Sequence, residues 1–234
     1  MFELVALIAA LTAHEPAGPA PAITATGVER VEPDATDRER YRAALEKMMI
    51  DDQRHRTAIS WGTTDPDELA RLNALDDDAH MAEWARRNAE GIALEPDEEK
   101  RLWALQNELD FMNTRILMNL VERFGWPSEA MLAQGTPNPT PVLIHMRPGD
   151  AEWVLPVLKR EALSGRMPPK TYAMIFDRKR QHAGEPQLYG TIQMFDRATN
   201  SVVPAEIVDI EATNAARAEI GLGPLTEFRL VSND

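Results

Sequence analysis

The chain has 234 residues, 44% hydrophobic and 27% charged, which is enough for one domain with a sizeable core. A formal charge of −13 and a pI near 4.9 exclude general nucleic-acid binding, which relies on Lys and Arg to neutralise phosphates, and disfavour anionic membrane surfaces. There is no cysteine, so disulfides, thiolate nucleophiles and cysteine-ligated metals are excluded together.

Phe2–Ala13 is an apolar run interrupted only by Glu3 and Thr12, too short to span a bilayer as a helix. A segment rich in proline and small residues follows, His14–Ala22. The order resembles a secretory signal peptide cut after Ala13 or Ala22, although Met1-Phe2-Glu3 lacks the usual basic start. Residues 1–22 are therefore expected to be a signal peptide, or else a disordered N-terminus. This implies a periplasmic or secreted protein, with a cytoplasmic one as the alternative, and no stable membrane span.

Residues 23–36 lack hydrophobic periodicity and read as a linker. Thr36-Asp37 is expected to cap a helix running to Ile59 or Trp61, ended by Gly62 to Pro66. Helical patterns resume over 66–75 and 77–90, and Gly91 and Pro96 mark the next boundary. From Asp97, the residues Leu102, Leu105, Leu109, Met112, Ile116, Leu120 and Phe124 recur at three- and four-residue steps, predicting one long helix with a single buried stripe. Gly125-Trp126-Pro127 ends it. Shorter helices are expected near 128–134, 139–146 and 150–163. Another helix is expected across 169–182, with Tyr172–Phe176 readable instead as a strand.

Beyond Gly184 the period becomes two. Leu188–Phe195 and Ser201–Val208 read as strands joined by Arg197–Asn200, before a final helix over 209–220. The fold class is mainly α (α+β): a single helical domain over 37–234 with one small antiparallel β-hairpin near the C-terminus. Acidic runs such as Asp65–Glu68 and Asp76–Asp78 read as solvated faces.

Several polar groups fall on apolar faces. Asp52 and Arg56 share the face of Tyr41, Leu45 and Met48, and Gln53 borders it, with Asp51 and His55 to the side. Asn113 falls inside the long-helix stripe, and Gln106 and Asp110 edge it. Buried amides and carboxylates need partners, so these helices are expected to meet at a polar site or a structural ion pair. His145 lies in the apolar run Pro141–Met146. The stretch Gly184–Gln193, entered through Asp177-Arg178, packs acid, amide, phenol and hydroxyl groups around two glycines. There it offers either ligand contacts or caps for its own backbone.

No phosphate-binding glycine loop, HExxH, GxSxG or EF-hand pattern occurs. Asp51 and His55 supply two ligands on one helical edge without a third, so no metal site is assigned and the cofactor is unknown. Asp52, Asp110, His145 and Asp177 are candidates for acid–base catalysis. Gln53, Arg56, Asn113, Arg178, Gln187, Tyr189 and Thr191 are candidates for ligand contact.

Taken in order, these pieces resemble a family of uncharacterised bacterial proteins grouped as a domain of unknown function. Its pattern is DQxxR (Asp52 to Arg56), DxxN then GWP (Asp110 to Asn113, Gly125 to Pro127), a His in an apolar helix (His145), YAxxxDR (Tyr172 to Arg178) and GxPQxYGTQ. The last matches Gly184 to Thr191, with Ile192 inserted before Gln193. Asn214 to Arg217 and Gly221-Leu222 close the pattern. The resemblance covers roughly residues 40 to 230 and implies that the candidate residues form one site, but it carries no known activity. Three readings stand: an exported domain binding a small molecule or peptide, a hydrolase-type enzyme using Asp/His chemistry, or a structural or interaction domain.

Overall fold

A computed structural model describes residues 30–196 and 201–231. The first half contains α1 (Ala35–Gln53), α2 (Arg56–Trp61), α3 (Pro66–Asn73), α4 (Asp77–Glu90) and the long α5 (Pro96–Phe124). The second half begins with α6 (Glu129–Leu132), α7 (Thr140–Ile144), a 3-10 turn (Pro148–Asp150), α8 (Ala151–Leu163) and α9 (Pro169–His182). It ends with β1 (Met194–Asp196), β2 (Ser201–Val203), β3 (Glu206–Ile207), α10 (Ile210–Glu219) and β4 (Arg229–Leu230). The protein is mainly helical with a few very short strands. No described helix is long and apolar enough to cross a membrane, and the leader-like residues 1–22 lie outside the described residues.

Local chemistry sets most boundaries. Asp34, Asp65, Asp76 and Asp209 each accept a hydrogen bond from a backbone N–H in the first turn of the following helix. Asp34, and not Thr36-Asp37, is the first cap, so α1 starts earlier than its sequence signals indicate. Gly62 and Gly91 close their helices in the left-handed conformation.

The span read as a linker is tied down from Arg30 onward. Arg30 and Arg166 both hold the fully buried carboxylate of Glu161, which also accepts from the backbone N–H of Trp126 at 3.2 Å. Gly125 has φ 103°, and a Cβ there would lie 2.9 Å from Arg30 Nη1. The glycine of the GWP step therefore makes room for this bridge as well as ending α5.

The core is built where α5 lies along α1 and where α9 packs on α7 and α8. Tyr41, Leu45 and Met48 of α1 meet Leu117, Met118 and Val121 of α5, with Leu143, Leu158 and Ile175 from the second half. Each such buried side chain contributes roughly 1.5–3 kcal/mol relative to exposure.

Of the expected stripe on α5 only the ends, Leu102 and Phe124, are buried; its middle is not. Leu105, Met112 and Ile116 are 37%, 51% and 42% exposed. The buried line runs through Leu102, Gln106, Asp110, Asn113, Leu117, Val121 and Phe124, displaced by about 100° around the helix. It is polar in its first half because that half faces broken backbone, as described below.

The strands also depart from expectation. β1 and β2 pair antiparallel, Met194 opposite Val203, and the segment between them, 197–200, lies outside the described residues. β3 and β4 instead pair in parallel, Ile207 opposite Leu230, and Gln187 bridges to Ile207. Strand content is thus not a single hairpin. Leu188–Gln193 is not a strand, because side chains of Asp177 and Gln187 capture the N–H groups that a ladder would use.

Candidate functional site

The helix expected to run through to Trp61 breaks at Arg54-His55, and this break organises the polar cluster. Gln106 of α5 accepts from His55 N–H at 3.0 Å and donates to the Asp51 carbonyl at 3.1 Å. One amide thus replaces the bonds lost where α1 stops and α2 begins. Such groups must be satisfied when buried, since an orphaned one costs a few kcal/mol. Gln106 also donates to Asp110 Oδ1 at 2.9 Å. Asp51 is itself buried, contrary to its expected position at the side of the helix, and Lys47 and Arg54 hold its carboxylate. Among the described residues no group of three or more His, Cys, Asp or Glu is placed to hold a metal.

Around the break, Arg56 reaches Asp110 in a two-pronged contact, Nη1 to Oδ1 at 2.9 Å and Nη2 to Oδ2 at 2.5 Å. Its Nη1 also donates to the Asp52 carbonyl at 2.6 Å. The guanidinium fork is thereby committed. Asp52 accepts from Gln53 Nε2 at 2.7 Å and meets His145 Nδ1 at 2.8 Å through Oδ1. Burial pushes the Asp52 carboxyl up, but the bond and charge of His145, the charge of Arg56 and the Gln53 bond outweigh it and hold the group below its ordinary value. The His145 and Arg56 side chains remain 16% and 13% exposed, whereas those of Asp52 and Asp110 keep 3% each. The cluster therefore has buried acids and a partly open rim.

His145 ends α7, between Ile144 and Met146, which are both buried. Buried Lys179 from α9 donates to the carbonyls of those two neighbours, at 2.6 and 2.8 Å. Burial pushes the Lys179 ammonium down to about 8; Arg178 adds to that shift, while Asp110 and Asp150 oppose it. Lys179 therefore fixes the backbone on both sides of the histidine. Sequence reasoning passed over Lys179 and Glu161. The available signal was a lysine one turn after Ile175 on the core face of α9.

The remaining candidates gather elsewhere. The Asp177 carboxylate, at the heart of the DR motif, accepts from the backbone N–H groups of Leu188, Tyr189 and Thr191 and from the Thr191 hydroxyl, all within 2.9 Å. Burial pushes this carboxyl up despite those donors. Gln187 bonds both polar groups of Ile192, as a neighbouring strand would. Tyr189 is buried edge-on against Tyr172 and Phe176, and its carbonyl accepts from Arg217 at 2.7 Å. The stretch expected to supply ligand contacts thus spends its side chains on its own loop.

The bonds of the predicted residues accordingly fall into two groups. One joins Asp52, Gln53, Arg56, Asp110 and His145; the other ties Asp177 to Thr191 and the Tyr189 backbone, with Gln187 bonding Ile192 in the same loop. Asn113 is buried beside the first, one turn beyond Asp110, with no partner for Nδ2 among the described residues. Arg178 is buried on α9 between Asp177 and Lys179, with Gln181 Oε1 3.5 Å away.

Chemically, the first group is a carboxylate-oriented imidazole. The Nδ1 contact with Asp52 fixes the ring's orientation and leaves Nε2 as the nitrogen outside that contact. The second group is a scaffold for a loop.

Fold and site together define a mainly helical domain carrying an Asp–His pair beside an Arg–Asp pair. The chain belongs to a family of unknown function, DUF6624, whose match covers residues 84–234. That span holds Asp110, His145 and the whole Asp177 loop, while α1 and α2, which carry Asp52 and Arg56, precede it. No curated protein and no solved structure matches the chain.

Proposed function

We propose that the Asp52–His145 pair is the working centre of a hydrolase-type enzyme acting on a small polar ester, amide or phosphate. The observation that carries this reading is the 2.8 Å contact of His145 Nδ1 with Asp52 Oδ1, made by a histidine whose side chain stays partly open to solvent. In this reading His145 Nε2 takes a proton from the attacking water and returns it to the leaving group. Asp52 fixes the tautomer and steadies the imidazolium. Asp110 and Gln106 hold Arg56 in place beside Asp52, and Lys179 holds the chain on either side of the histidine.

The alternative of a pure binding domain, with Arg56 gripping a ligand carboxylate, is weaker because the fork is already filled by Asp110. For compartment we propose export, on the leader-like order of residues 1–22; a cytosolic product retaining Met1 rejects that.

The test is turnover of an ester, amide and phosphate panel by wild type, His145→Gln and Asp52→Asn, with melting temperatures measured in parallel. Loss of about a hundredfold or more in both variants, with folding retained, supports the dyad. Full turnover by folded His145→Gln rejects it. A ligand-induced rise in melting temperature without turnover supports the binding reading instead.

A further inference from the structure

The outer face of α5 carries Leu105, Leu109, Met112 and Ile116 at steps of four, three and four residues. Leu105, Met112 and Ile116 are exposed and Leu109 is half-buried. Single exposed hydrophobics are ordinary, but a row at this spacing is the seam by which one helix packs along another. A shallow groove adjoins it, lined by Arg54, His55, Leu105, Glu108, Leu109 and Met112.

The charges beside the row identify what covers it. Along one flank run Arg101, Glu108, Arg115 and Glu122, each seven residues from the last, with signs alternating, and all are exposed. The opposite flank, through Gln106 and Asn113, is turned into the protein's own core. In a chain of net charge −13 most faces repel a copy of themselves, whereas this flank is balanced.

We propose that this face joins two copies of the chain through a twofold, antiparallel pairing of α5 with α5. An axis crossing the helix between Leu109 and Met112 sets Leu109 against the partner's Met112 and Leu105 against the partner's Ile116. The same register brings Glu108 to the partner's Arg115 and Arg101 to the partner's Glu122. Each pair has opposite signs, and the symmetry makes each twice. A parallel arrangement would need the second flank for its charge pairs, and that flank is buried. The alternating pattern is therefore self-complementary in one orientation only.

The full-length chain in sedimentation equilibrium, over a wide concentration range, tests this. Wild type is expected to approach twice its 26.2 kDa mass. E108R puts like charges together at two places and should raise the dimer dissociation constant about tenfold or more. E108R/R115E reverses both partners and should restore wild-type association to within about threefold. The substitutions lie on exposed positions, and the double variant controls for damage to the fold. A wild type that stays monomeric overturns the proposal, as does a dimer indifferent to E108R or a double variant that fails to recover. If the monomer nonetheless protects α5 from hydrogen exchange along this face, the cover is a segment of the same chain and the proposal also fails.

Discussion

Single residues in this protein act chiefly by satisfying backbone. Asp177 is the clearest case: one carboxylate gathers three N–H groups and a hydroxyl into a loop with no ladder of its own. Asp177→Asn turns an amide N–H₂ toward some of those donors, so the expected loss is about 2–4 kcal/mol of stability, read from the urea midpoint. An unchanged midpoint would contradict the assigned role. Gly190 belongs to the same construction. Its φ is 63°, a left-handed backbone that favours glycine, and a Cβ would come 2.5 Å from Leu225 Cδ2 and push that side chain aside. The DR and YGT pieces were legible as a polar concentration, but the sequence left open whether they serve a ligand or the loop. Hydrogen-bond directions decide that, and they depend on where residues 177 and 187–192 sit relative to each other.

Among the elements, the break between α1 and α2 has the largest consequences. Periodicity carried the helix through because nothing from Asp51 to Arg56 is a glycine or proline. The interruption is stabilised from outside, by an amide on another helix. Gln106→Leu should therefore cost about 2–3 kcal/mol and leave the His55 amide open to rapid hydrogen exchange. Protection of that amide in the variant would show that the break sustains itself. The same contact explains why the middle of the apolar row on α5 faces outward. Hydrophobicity alone picks the row Leu105 to Ile116, yet in this half of the helix the inward face must answer exposed carbonyls and N–H groups. Polar residues are therefore the ones buried, and an apolar row is left outside.

At the scale of the whole molecule, buried acids tie distant parts of the chain together. Glu161 joins the segment at Arg30 to the end of α5, and Asp52 joins α1 to α7. Burial raises both carboxyls, but the bonds of Arg166 and Arg30 at Glu161, and those of His145 and its neighbours at Asp52, hold both below their ordinary values. A depressed folded value means that the stabilisation is fully present above the unfolded carboxylate pKa, about 4, and is lost as pH falls through the lower folded value. Acid unfolding should therefore steepen below about pH 4. Glu161→Gln should lower stability at neutral pH by about 2 kcal/mol or more and flatten that acid slope. Parallel wild-type and variant curves on acidification would remove Glu161 from the account.

Composition and hydrophobic pattern by themselves determined that this is an acidic, mostly helical protein. They also placed most helix spans, and the motif order pointed to an uncharacterised family. Those properties are local: caps, glycine stops and three- to four-residue periods depend on near neighbours in the chain. Only the tertiary structure decided that Asp52 meets His145 across 93 positions of sequence, that the Asp177 loop bonds to itself, and which face of α5 is buried. Each of those rests on a partner supplied by a remote element, and a buried polar group is stabilised by where its partner lies in space.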